Sequence, residues 1–153
     1  MKKIIITLIS VVLIVSAASG CMQRKMPFNG EISFHDISLT IPDDYVRDST
    51  QSNDSFWVFE KGFYQKYILI SQNPNGDVGE KALEYYMNSM PQVGADVSSE
   101  TLAGINCAVS EYTKDGVYCQ EVFFVYKDND YAIALRGGDK DDFENLISTV
   151  NLD

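Results

Sequence analysis

The chain has 153 residues, enough for one domain with a self-sufficient core, and its 45% hydrophobic and 22% charged composition excludes a disordered or collagen-like polymer. Acids outnumber bases 22 to 12, a formal charge of −10, so phosphate backbones repel the chain and nucleic acid is excluded as a partner.

Met1-Lys2-Lys3 is a short basic start, Ile4 to Val15 is almost wholly apolar, and Ser16-Ala17-Ala18-Ser19-Gly20 is a run of small residues ending at Cys21. This is the anatomy of a secretory signal peptide. As a helix the apolar stretch would reach about 18 Å, short of the roughly 30 Å hydrocarbon core, which favours cleavage over a permanent span. Ala18-Ser19-Gly20-Cys21 resembles the bacterial lipobox, with Ala18 where that pattern most often carries leucine. The resemblance implies cleavage after Gly20 and lipid attachment at Cys21, through a diacylglyceryl thioether and palmitate-class acylation. Residues 1–20 are then a lipoprotein signal peptide, and 21–30 a short tether containing Arg24, Lys25, Pro27 and Gly30. Two acyl chains give stable attachment, and each basic residue beside anionic headgroups adds about 1 kcal/mol. Cleavage removes Lys2 and Lys3 and no acid, leaving 10 bases against 22 acids, a formal charge of −12. An ordinary secreted protein cut after Ala18 or Gly20 is the competing reading; both place the domain outside the cytoplasm.

Residues 31–153 read as one domain without repeats or low-complexity tracts. Ile32, Phe34, Ile37, Leu39 and Ile41 alternate around His35-Asp36, predicting one or two opening strands that end at Pro42-Asp43-Asp44. Arg47 to Asp54 is polar and predicts a loop. Phe56-Trp57-Val58-Phe59 and Tyr67-Ile68-Leu69-Ile70 predict a hairpin through Lys61-Gly62. After Asn73-Pro74-Asn75-Gly76, a helix capped by Asp77 or Gly79 is expected, with Ala82, Leu83, Tyr86, Met87 and Met90 on its buried face and Pro91 as its stop.

A three-stranded antiparallel meander follows: Ile105 to Thr113, Val117 to Tyr126 and Tyr131 to Arg136, with turns at Lys114-Asp115-Gly116 and Asp128-Asn129-Asp130. The middle strand is apolar at both parities, as a strand covered on both faces must be, and two helices are the expected cover. The last helix starts near Lys140, with Asp141, Asp142 and Glu144 at its positive end and Phe143, Leu146, Ile147 and Val150 as its buried stripe. Ala132 and Ala134 are expected to let that helix approach closely.

Strand pairs, a long helix, a meander and a closing helix resemble the PsbP-like fold. The residues that carry the resemblance are Ile37-Ser38-Leu39-Thr40-Ile41-Pro42-Asp43, the stretch from Tyr118 to Leu135, and Phe143-Glu144-Asn145-Leu146-Ile147-Ser148-Thr149-Val150. What it implies is an α+β class, an antiparallel β-sheet sandwiched between helices (an α/β/α sandwich), and a binding or assembly role.

The search for chemistry yields little. His35 is the only histidine; its neighbour Asp36 would orient it as a base only in a turn, because adjacent strand residues point to opposite faces. Cys107 and Cys119 flank the Asp115-Gly116 turn; a disulfide between them is conceivable outside the cytoplasm, but tight registers there place Cys107 opposite Val122 to Phe124, which favours two buried thiols. The acids at 128–130 and 139–142 lack EF-hand spacing and read as turn and cap residues, so no metal and no cofactor are expected. Gly137-Gly138 has no following lysine and is not a phosphate loop. Trp57, Phe63 and Tyr64, beside Phe56, Phe59 and Tyr67, are the candidate partner-binding residues; the same rings also suit a sheet-helix core. The expected function is a non-enzymatic binding or accessory module of the cell envelope, with membrane lipid at Cys21 and an envelope protein as partners. The alternative is a small hydrolase or redox enzyme built on His35 or a cysteine.

Overall fold

In the computed structural model the described residues are 26–27, 30–62, 66–73 and 80–153, and the structural statements below refer to these. Gly20, Cys21, Phe63, Tyr64, Asp77 and Gly79 lie outside them.

The elements in chain order are β1 (Met26–Pro27), β2 (Gly30–Phe34), β3 (Ile37–Ile41), β4 (Val46–Arg47), β5 (Phe56–Lys61) and β6 (Lys66–Asn73). Helix α1 (Glu80–Ser89) runs into a 3-10 turn (Met90–Val93), then come β7 (Asp96–Leu102), β8 (Ile105–Lys114), β9 (Val117–Tyr126) and β10 (Asn129–Arg136). Helix α2 (Lys140–Ile147) and β11 (Asn151–Leu152) close the chain. Eight strands form one antiparallel sheet in the order β1-β4-β5-β6-β10-β9-β8-β7, and three form a second in the order β11-β3-β2.

Tight turns set the registers. Ala103-Gly104, Asp115-Gly116 and Lys127-Asp128 each join strands through two residues with positive φ, the primed geometry whose twist matches that of antiparallel strands. The β9–β10 turn therefore falls at Lys127-Asp128, and Asn129 and Asp130, expected in the turn, belong to β10. Cys107 is opposite Phe124, as the turn chemistry required, and Cys119 is opposite Tyr112; both cysteines are free.

On one face of the large sheet, Phe59, Ile68, Ile70, Val109, Val122, Phe124, Ile133 and Leu135 pack against Phe34, Ile37 and Leu39 of the small sheet and Phe143 and Leu146 of α2. On the other face, Ala82, Tyr86 and Met90 pack on Ala108, Phe123 and Ala132, while Val58, Leu69 and Ala134 form a separate cluster. The sandwich between two helices is thus corrected on one side, where the three-stranded sheet shares the cover with α2. Ala132 and Ala134 point away from that side, and it is α1 that approaches Ala132. The meander gains a fourth strand, β7, and Arg47, expected to open the polar loop that runs to Asp54, belongs to the short β4 at Val46–Arg47.

Helix α2 starts on a capping box in which Asp139 accepts from the Asp142 backbone N–H and Asp142 accepts from that of Asp139, which accounts for these acids as caps. A Cβ on Gly138 would lie 2.4 Å from Leu135 Cδ2, so this glycine lets the chain pass over the sheet. Met26 and Pro27 pair with Arg47 and Val46, so sheet pairing reaches back into the segment read as tether.

Candidate functional site

The β2–β3 connection is the two-residue turn His35-Asp36, with Phe34 opposite Ile37 and His35 at φ 56. The turn sends the two side chains to different partners. His35 Nε2 lies 2.6 Å from the Asp54 carbonyl oxygen, and its ring meets Phe34 edge to face. Asp36 accepts from Lys127 Nζ at 3.1 Å and from the Tyr131 hydroxyl at 3.1 Å, while Gln72 Nε2 donates to that hydroxyl at 2.8 Å. The Lys127 ammonium holds the Asp36 carboxyl below its ordinary range. Asp36 also ties down the C-terminus, because its carbonyl accepts from the Asp153 backbone N–H at 3.0 Å. Two turns, one strand end and the chain end thus form one polar cluster beside the small sheet.

Trp57 lies next to it. Its ring meets Phe34 edge to face at 5.2 Å and Phe59 at 6.4 Å, and the Arg47 guanidinium stands 3.8 Å from its centroid. Such stacking is worth about 0.5–2 kcal/mol. Trp57 is half-buried, one side given to packing and the other to a cation. The loop beyond Arg47 is pinned by Asp48, whose carboxylate accepts from both the backbone and the side chain of Thr50 and of Gln51. Burial pushes that carboxyl up, but the four bonds outweigh it and leave the net shift downward.

Beneath α1 is a second polar group that sequence reasoning missed. Glu121, 3% exposed, accepts from the Tyr86 hydroxyl at 2.8 Å, and Ser110 Oγ is 2.8 Å from the same hydroxyl. Burial raises the Glu121 carboxyl to about 7, against the opposing pull of the Tyr86 bond. The available signal was an acid inside a strand that is apolar at both parities.

The structure does not bring His35 together with a cysteine. Cys107 is buried on the small-sheet face, where burial pushes its thiol up to about 11; Cys119 is buried on the α1 face, and its thiol is raised by burial too. Neither setting generates the thiolate that nucleophilic or redox chemistry requires. His35 is bonded to a backbone carbonyl, while its neighbouring carboxylate serves Lys127 and Tyr131. Among the described residues no group of three or more histidine, cysteine or acidic side chains is arranged to hold a metal ion, and no helix is long and apolar enough to cross a membrane.

No protein-family model and no curated protein matches the chain. Solved structures do. The cyanobacterial PsbP protein (CyanoP) of Synechocystis sp. PCC 6803 is similar over 90% of this chain and 99% of its own, with a TM-score of 0.56 and 9% identity. A protein of Bacteroides thetaiotaomicron VPI-5482 is similar over 82% of this chain, with a TM-score of 0.56 and 14% identity; the similarity spans 49% of that longer protein. At these identities the likeness concerns the fold, which is PsbP-like: mostly antiparallel sheet with two helices.

Proposed function

We propose that the chain is a lipid-anchored, extracytoplasmic binding module of a bacterial envelope, without catalytic activity. The observation that carries this reading is the leader: a basic start, an apolar run too short to span a bilayer, and Ala18-Ser19-Gly20-Cys21 at its end. A PsbP-like fold supports it, since the family it resembles serves binding and assembly. Cys21 is five residues ahead of Met26, which pairs with Arg47 at the sheet edge, so an acylated Cys21 holds the domain within about 17 Å of its lipid. Trp57, half-buried on β5, and with it Phe63 and Tyr64, are the residues proposed to contact an envelope partner. No observation favours the hydrolase or redox reading, which needs His35 beside a reactive thiol.

The test is intact-mass analysis of the protein extracted from bacterial membranes. The expected species begins at Cys21 and carries a diacylglyceryl group and further acyl mass, and Cys21→Ala releases the protein from the membrane fraction. An intact Met1 start with an unmodified Cys21 thiol in the cytosol overturns the reading.

A further inference from the structure

The two sheets have four edges, and the described residues treat them unequally. β1 and β11 are two residues long and β2 is five, whereas β7 runs for seven residues in unbroken register with β8. Only β8 pairs with β7, and Ser98 to Thr101 are exposed. In an antiparallel ladder, roughly every second residue of such a strand points its N–H and C=O outward, where they can take another strand. β7 has no proline, no lysine and no bulge, and the charges it carries, Asp96 and Glu100, are both acidic.

The side chains indicate what fits. Asp96 and Glu100 project on the same face as Cys107, and Glu111 is directly opposite Asp96 on β8. Two acids four residues apart on one face, about 14 Å along the strand, match basic residues four positions apart on an incoming chain, a spacing that lysines at alternate positions include. Val93, 59% exposed, precedes the strand by three residues and offers an apolar contact at its start. A second copy of this chain is the wrong partner, because at a formal charge of −10 two copies would bring acidic edges together.

We propose that the outer edge of β7 receives an extended, basic segment of a partner protein as a ninth strand of the large sheet. This rests on the reading of the chain as a binding module and supplies the partner's chemistry: main-chain hydrogen bonds give adhesion, and alternate lysines or arginines give preference. It is a contact separate from the β5–β6 hairpin.

The experiment uses the full chain in mild detergent and two capped octapeptides of equal charge. One alternates lysine with threonine; the other alternates lysine with proline, which removes half the donors and holds a polyproline backbone. The threonine peptide should slow hydrogen exchange at Asp96–Leu102 at least tenfold and bind at least tenfold tighter than the proline peptide. Asp96→Asn combined with Glu100→Gln should weaken it several-fold. Equal binding of both peptides would mean charge attraction alone and overturn the proposal, as would protection confined to other strands. Concentration-dependent protection of β7 without peptide would assign the edge to self-pairing and overturn it as well. If the peptides fail while acylated Cys21 and a cross-linked envelope partner are still found, the β7 proposal falls and the module reading stands.

Discussion

The two faces of the large sheet are covered to similar depth by different means. Toward the small sheet and α2, β9 presents Val122 and Phe124 within an apolar layer, and the Phe124 ring stacks on Tyr131 with centroids 5.4 Å apart. Toward α1 it presents Glu121 and Phe123, so a carboxylate and an aromatic ring share one helix. The first face is held by the shape of apolar side chains. The second is held partly by a hydrogen-bonded group whose charge is costly where it lies, so its energy varies with proton activity.

The largest effect is expected on the apolar face. Phe124 is fully buried between the cross-strand neighbours Cys107 and Tyr131. Phe124→Ala should cost about 3–5 kcal/mol, the transfer term plus a cavity that two sheets cannot collapse. Urea unfolding measures it, and the loss should be the same at pH 5 and pH 8. A loss below about 1 kcal/mol would mean that the two sheets repack freely and that this face is not the rigid one.

The next effect belongs to the other face and depends on pH. The Glu121 carboxyl is raised by burial from 4.5 to about 7, so the folded state holds a proton that the unfolded chain gives up. Its contribution to stability is fully present below pH 4.5, falls as pH rises toward 7 and is lost above, a change of about 3 kcal/mol. Glu121→Gln removes the titration and keeps an acceptor for Tyr86. Between pH 4 and pH 8, the variant should gain about 3 kcal/mol relative to the native chain, with most of the gain between pH 4.5 and 7. Parallel unfolding profiles over that range would show that Glu121 does not titrate in the folded protein.

The contrast between the faces also explains what was legible in the sequence. Alternation marked β2 and β3, runs of β-forming residues bounded by turn signals marked β5, β6, β8, β9 and β10, and Asp115-Gly116 fixed the register that separates Cys107 from Cys119. Strand β7 was not legible: Asp-Val-Ser-Ser-Glu-Thr-Leu carries two apolar residues in seven, and it is a strand because β8 supplies its partners. The double parity of β9 announced cover on both sides but not its kind, since a hydrophobic residue reads the same under a helix or a sheet. For the same reason Ala132, expected under α2, lies under α1, and Ala134 packs with Val58 and Leu69 instead of a helix. The polar contacts were the least legible. Tyr86, Ser110 and Glu121 lie on three elements, and the partners of Asp36 are more than 90 residues away, so only the folded topology brings them together.

The smallest effect separates the hydroxyl from the carboxylate it serves. Tyr86→Phe keeps the ring that stacks on Phe123, with centroids 4.6 Å apart and planes 5° from parallel, and removes the bonds to Ser110 and Glu121. With Glu121 neutral, a hydroxyl bond is worth about 1 kcal/mol; with Glu121 ionised it is a bond to a charge, worth about 2 kcal/mol. The variant should therefore lose about 1 kcal/mol at pH 5 and about twice that at pH 8. Because the Tyr86 bond pulls the Glu121 carboxyl down, its removal should also shift the titration to higher pH. In a Glu121→Gln background the same substitution should cost the smaller amount at both pH values, since no charge develops there. A loss in the native background that ignores pH would mean that the hydroxyl does not sense the charge on Glu121, and that α1 is held by packing on both sides of Tyr86, as the opposite face is.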